Sequence, residues 1–212
     1  MSIKAVIFDC DGVLVDSETI SNKVLIEMAA EEGLKVDLNY ALTNWQGKDL
    51  KLVFEDLNRL KGSSIKASFE QDFRERTFSA FRNDIKPIPG ALNLLQKLKL
   101  PIAVASNGPR SKMAVTLSVT GLASFFKDKI YSAYDIQKWK PEPDLFLHVA
   151  SRLQVLPENC LVIEDSISGV EAALKGGFQT YALAHDHNRL ALQKSNATVI
   201  SHLEEIESVL DL

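Results

Sequence analysis

Short apolar runs bounded by polar or glycine-containing turns recur along the chain, at 3–8 (IKAVIF), 102–105 (IAVA), 129–132 (KIYS), 160–164 (CLVIE), 179–183 (QTYAL) and 197–200 (ATVI). Runs of this length read as buried strands. Helix-like segments separate most of them, and alternating β and α units predict an α/β fold with a doubly wound, parallel, Rossmann-like sheet. Residues 16–86 have a different pattern. Ile20, Val24, Leu25 and Met28 recur at helical spacing, as do Leu50, Val53, Phe54, Leu57 and Leu60, then Phe69, Phe73 and Phe81. Gly33 and Gly62 fall where helices would end, and Pro87, Pro89 and Gly90 punctuate the return to the α/β pattern. The chain therefore divides into an α/β core of 1–15 and 87–212 and an inserted all-helical domain of 16–86.

With 212 residues, 46% of them hydrophobic, the chain can bury a substantial core. No apolar run approaches the ~20 residues that span a bilayer, and Met1 to Phe8 lacks the features of a signal peptide, so a cytoplasmic protein with no membrane partner is expected. A net charge of −4 with scattered Lys and Arg leaves no footprint for nucleic acid. Cys10 and Cys160 each sit in an apolar run and read as small buried hydrophobes.

Ligands of open α/β sheets gather beyond the carboxyl ends of the strands, so the residues after each apolar run carry the candidate chemistry. Asp9-Cys10-Asp11-Gly12 follows the first run. In extended chain Asp9 and Asp11 share a side, and Gly12 permits a sharp turn. Two carboxylates ~4 Å apart repel by about 4 kcal/mol at an effective dielectric of 20, which calls for a cation or a retained proton. Ser106-Asn107-Gly108-Pro109 closes the second run and opens a helix with Pro109 expected at its first position, an arrangement suited to phosphate oxygens. Lys140, before Pro141, can neutralise a phosphate, and Glu164-Asp165-Ser166 adds carboxylates for a hard cation. Each piece has a bland reading as an ordinary turn, cap or surface charge. Together they supply a nucleophile, an acid, metal ligands and phosphate-binding groups.

The order DCDGVLVDSE, SN, KPEP and EDSISG resembles the four signature motifs of the haloacid dehalogenase-like hydrolases. The helical insert resembles the cap of the subfamily that includes β-phosphoglucomutases and phosphoglycolate phosphatases, and SNGPRSKM and DIQKWKPEP look most like bacterial 6-phosphogluconate phosphatases. This resemblance implies a Mg²⁺-dependent phosphatase acting on a small phosphorylated metabolite, a sugar or sugar-acid phosphate. It makes Asp9 the nucleophile that becomes an aspartyl-phosphate and Asp11 the general acid and base. Mg²⁺ would be held by Asp9, the Asp11 carbonyl and Asp165, with Glu164 a direct or water-mediated partner. Ser106, Asn107 and Lys140 would hold the phosphoryl oxygens. Lys48, beside Gly47, and Arg74 are the candidate helical-domain contacts to an anionic substrate.

The rivals are a phosphosugar mutase of the same subfamily and a non-catalytic sensor phosphorylated on aspartate. By alignment, Ser21 stands where the mutases carry a cap-side histidine, and Asp49 lies near their expected arginine, which favours hydrolysis. His148, His185, His187 and His202 form no metal-ligand spacing near the motifs and are given no role.

Overall fold

All six apolar runs pair into one parallel sheet. The computed structural model describes residues 2–45, 48 and 50–212, and two compact units emerge: Met1–Asp16 with Lys86–Leu212, and Ser17–Ile85. The strands are β1 (Ala5–Phe8), β2 (Ile102–Ser106), β3 (Ile130–Ser132), β4 (Cys160–Glu164), β5 (Gln179–Leu183) and β6 (Thr198–Ile200). In the same unit lie α5 (Ala91–Lys97), α6 (Arg110–Val119), α7 (Ala123–Phe126), α8 (Ala133–Ile136), α9 (Asp144–Leu153), α10 (Ile167–Lys175), α11 (Arg189–Leu192) and α12 (Glu205–Val209). The helical unit holds α1 (Ser17–Glu31), α2 (Leu38–Asn44), α3 (Leu50–Lys61) and α4 (Phe69–Asp84).

The strand order is β3-β2-β1-β4-β5-β6, so the winding direction reverses at β1. In doubly wound sheets that reversal opens a crevice at the strand carboxyl ends. β1 lies between β2 and β4, with Phe8 opposite Val104 on one side and Ile163 on the other. Its four residues are wholly buried, as expected where helices cover both faces. Ala5 and Ile7 join Phe146, Val149 and Ala172 in one core layer. On the other face the Phe8 ring meets Phe126 edge-on at 6.0 Å.

The helical unit has a core of its own, built from Val24, Leu25, Met28, Ala41, Trp45, Val53, Leu57, Phe69 and Phe73. The expected glycine stops hold, with Gly33 and Gly62 at φ 82° and 71° just past α1 and α3. Asp56 ties α2 to α3: its Oδ2 accepts from the Tyr40 hydroxyl at 2.8 Å and Trp45 Nε1 at 3.0 Å, and its Oδ1 from Arg59 Nη2 at 2.6 Å. Burial works against the Asp56 charge, but these donors outweigh it and hold its pKa below the ordinary value. A depressed carboxyl contributes stability above its unfolded pKa and loses it as pH falls through the folded one. Asp56→Ala should therefore cost about 1–3 kcal/mol at neutral pH, with a smaller deficit in acid, read by urea melts at pH 7 and pH 3.5.

Among the described residues no helix is long and apolar enough to cross a membrane.

Candidate active site

The carboxyl end of β1 delivers the Asp9 carboxyl into a largely buried position, with its N–H bonded to the Ile163 carbonyl at 2.9 Å. The chain then turns tightly. Gly12 adopts φ 79° and donates its N–H to the Val15 carbonyl at 2.9 Å. A side chain at Gly12 would also overlap the Asp165 carboxylate, so glycine is needed for both conformation and space. Cys10 is fully buried, and burial pushes its thiol well above the ordinary value, which leaves it inert.

Lys140 organises the centre. Its Nζ donates to Asp9 Oδ1, to Glu164 Oε1 at 2.6 Å and to the Ala105 carbonyl at 2.9 Å, so all three ammonium protons are used. Asn107 fixes the lysine backbone: its Oδ1 accepts from Lys140 N–H at 3.0 Å, and its Nδ2 donates to the Lys140 carbonyl at 3.4 Å. The other Glu164 oxygen, Oε2, accepts from the Asp165 and Ser166 N–H groups, each at 2.8 Å, and from the Ser166 hydroxyl at 2.9 Å. A side chain at Gly169 would collide with the Glu164 carboxylate, which explains the glycine in the first turn of α10. Both oxygens of Glu164, expected beside a cation, are thus engaged by protein donors.

Burial raises the Asp9 pKa to about 7; the Lys140 ammonium pulls against this, while Glu164 and Asp11 add to it. Burial opposes the charge on Lys140, but its two carboxylate neighbours outweigh that and drive its pKa upward. One ammonium thus faces two buried carboxylates, Asp9 and Glu164, which leaves surplus negative charge at the end of β1.

Ser106 ends β2, and its Oγ accepts from the Gly108 N–H at 2.9 Å. Pro109, expected as the first helical residue, instead precedes α6 as its cap, because its ψ of 150° is extended. Asp11 lies half-buried, its Oδ1 paired with Lys112 Nζ at 2.7 Å. Three residues carry contacts that the sequence did not signal. They are Lys112, His185, whose Nε2 lies 2.8 Å from the Gly12 carbonyl and 3.8 Å from Asp165 Oδ2, and Asn188, whose Nδ2 donates to the Asp165 carbonyl at 2.7 Å.

The helical unit contains the remaining two candidates. Lys48 is exposed, with its N–H on the Trp45 carbonyl at 3.1 Å. Arg74 forms an exposed pair with Glu70 at 2.7 Å, one turn back on α4. Gly47 and Asp49 lie outside the described residues.

Among the described residues no three His, Cys, Asp or Glu side chains converge as a metal cage. The oxygens of Asp9, Asp11 and Asp165 do suit an ion that keeps several waters and takes one or two carboxylates, which is the habit of Mg²⁺. A divalent cation bound beside Asp9 would offset that surplus charge.

A parallel sheet that reverses at the strand leading into Asp9, with acidic loops after β1 and β4 and a buried lysine between them, is the arrangement of a known class of hydrolase. The haloacid dehalogenase-like hydrolase pattern matches residues 3–177, and the chain belongs to that family. It is 32% identical to the 6-phosphogluconate phosphatase of Escherichia coli, over 96% of this chain and 93% of that protein. It is 29% identical to a phosphorylated carbohydrates phosphatase of Thermotoga maritima, over 98% of each. A crystal structure of a conserved haloacid dehalogenase-like protein of unknown function from Agrobacterium tumefaciens superposes with TM-score 0.87 at 29% identity, covering 99% of this chain and 98% of that one. Within the family, the chain falls with the phosphatases.

Proposed function

We propose that the protein is a Mg²⁺-dependent phosphatase that hydrolyses a small sugar or sugar-acid phosphate through an aspartyl-phosphate on Asp9. The observation that carries this reading is the buried Asp9 carboxyl bonded to the Lys140 ammonium, with Asp11 two residues further on. In the first half-reaction an Asp9 oxygen attacks phosphorus, the ester bond breaks, and Asp11 gives its proton to the departing alkoxide. In the second, Asp11 takes a proton from water as that water attacks the same phosphorus, releasing phosphate and free Asp9. Two easier displacements replace one hard one. Lys140, the Ser106 hydroxyl and the Asn107 backbone stabilise charge on the transferring oxygens.

Asp9, Asp165 and the Asp11 carbonyl would hold Mg²⁺, which supplies Lewis-acid stabilisation and offsets repulsion between a dianionic phosphate and these carboxylates. Glu164 also serves as the counter-ion that aims Lys140, since its Oε1 accepts from that ammonium while its Oε2 accepts from two backbone amides and the Ser166 hydroxyl; a direct or water-mediated contact to the cation would use the second lone pair of Oε1. Of the two cations proposed for the organic part of the substrate, exposed Lys48 is the better candidate, since Glu70 already engages Arg74.

Activity should vanish in excess chelator and return with Mg²⁺ but not Ca²⁺, whose longer bonds and higher coordination number misplace the phosphate. Full turnover in chelator would refute the metal assignment. The reading as a whole is tested by phosphate release from 6-phosphogluconate, phosphoglycolate and hexose phosphates; a protein that accepts phosphate without steady release would be a sensor. Hydrolysis rather than isomerisation is favoured by Ser21, whose hydroxyl donates to the Ser17 carbonyl at 2.9 Å inside α1 and offers no equivalent of a titrating imidazole. With β-glucose 1-phosphate and catalytic glucose 1,6-bisphosphate, free phosphate should therefore outpace glucose 6-phosphate. The reverse would identify a mutase.

A further inference from the structure

A carboxylate that shuttles a proton must present one defined oxygen to the reacting ester, yet an aspartate side chain has two freely rotating torsions. Asp11 is only half-buried, so packing alone does not fix it. Lys112 does. It stands in the first turn of α6, three residues after Pro109, and that proline's carbonyl accepts the Lys112 N–H at 3.0 Å. Its Nζ binds Asp11 Oδ1 at 2.7 Å. The other oxygen borders the space beside Gly108: a methyl group placed there would meet Ser106 Oγ at 3.3 Å, Asp11 Oδ2 at 3.6 Å and the Lys112 side chain at 3.8 Å. Ser106, Asp11 and Lys112, from three different segments, therefore border one small space that Gly108 leaves open.

We infer that Lys112 is a positioning residue that clamps Asp11 by Oδ1 and so assigns proton transfer to Oδ2, the oxygen on the Ser106 side. The inference rests on the reading of Asp11 as general acid and base. The two side chains are only 24% and 26% exposed, but solvent still reaches and screens the pair, so the role argued for Lys112 is orientation rather than stability. A misaligned proton donor matters only where the leaving group needs a proton. The effect of losing Lys112 should then depend on the leaving group.

The test compares wild type, Lys112→Met, Lys112→Arg, Asp11→Asn and the double variant Asp11→Asn/Lys112→Met. Each is assayed with 4-nitrophenyl phosphate, whose leaving group departs unprotonated, and with a sugar phosphate that the wild type hydrolyses. The quantity read is kcat/KM, which reports phosphoenzyme formation, and melting temperatures check the fold. Lys112→Met should lose about 10-fold or more on the sugar phosphate and less than about 3-fold on 4-nitrophenyl phosphate, within the range ascribed to general acid catalysis. Lys112→Arg should recover most of the loss. In the Asp11→Asn background Lys112→Met should cost nothing more, since the residue acts through Asp11. Equal losses on both substrates, or a loss additive to that of Asp11→Asn, would overturn the role of Lys112 alone. An Asp11→Asn variant with no leaving-group dependence would instead remove the Asp11 assignment and this inference with it.

Discussion

Asp9→Asn leaves a folded protein without measurable turnover, because an amide is too poor a nucleophile to displace an alkoxide from phosphorus. Prolonged phosphate-release assays with Mg²⁺ should show background only, and wild-type rates would remove the central claim. The fold should not suffer. The Asn carbonyl can still accept from Lys140, which keeps Glu164 and the Ala105 carbonyl. Stability should in fact rise at neutral pH in metal-free protein. Burial raises the Asp9 carboxyl from an ordinary value of 3.8 to about 7, so the folded state binds the proton more tightly than the unfolded chain does. Stability then falls as pH climbs from about 4 to 7, and the full cost, roughly 2–4 kcal/mol, is present above that window. Asparagine has no proton to lose. In chelator, wild type should lose melting temperature between pH 5 and pH 8 by more than Asp9→Asn does; parallel curves would contradict the surplus-charge account.

The sheet was legible because a buried parallel strand must be apolar on both faces, and each of the six runs became a strand within a residue or two at either end. α2 was not legible. It spans seven residues, buries only Ala41, and exposes Leu38 and Leu42, so it writes no apolar stripe into the sequence. At the site, Asp9, Ser106, Glu164 and Asp165 could be picked out because they end strands or follow them directly. Lys140 could be picked out from its proline neighbour. Roles that depend on counting lone pairs and donors could not. Glu164 reads in the sequence as an acid for a cation, and only the fold shows that it also accepts from Lys140, two backbone amides and Ser166. His185 and Asn188 follow β5 and reach Gly12 and Asp165 across 173 and 23 residues, a tertiary contact that no local pattern encodes. Lys112 stood in view within SNGPRSKM, but helical lysines are usually solvated, and only the fold brings this one to Asp11.

Replacing Lys140 should be the single change in the site most damaging to stability, because this side chain holds together charges that would otherwise repel. Its side chain is 2% exposed and is the shared partner of Asp9 and Glu164, themselves 10% and 1% exposed. Lys140→Met fills similar volume and packs against Phe146, whose ring lies 4.7 Å from the ammonium in the wild type. What it removes is the cation. Two carboxylates are then left buried near each other, and breaking a buried pair in this way typically costs about 3–5 kcal/mol. On the proposed mechanism catalysis should suffer separately, since a preorganised positive charge beside the transferring phosphoryl is worth about 10²–10³-fold in kcat. The two effects can be told apart. Adding Glu164→Gln to Lys140→Met should restore a substantial part of the lost stability by removing one unpaired charge, while phosphate release stays low because the cation is still missing. Chemical denaturation at pH 7 and phosphate-release rates, measured on both variants below their melting temperatures, read the two quantities independently. Recovery of turnover together with stability would mean that Lys140 serves the fold alone, and that another group neutralises the phosphate.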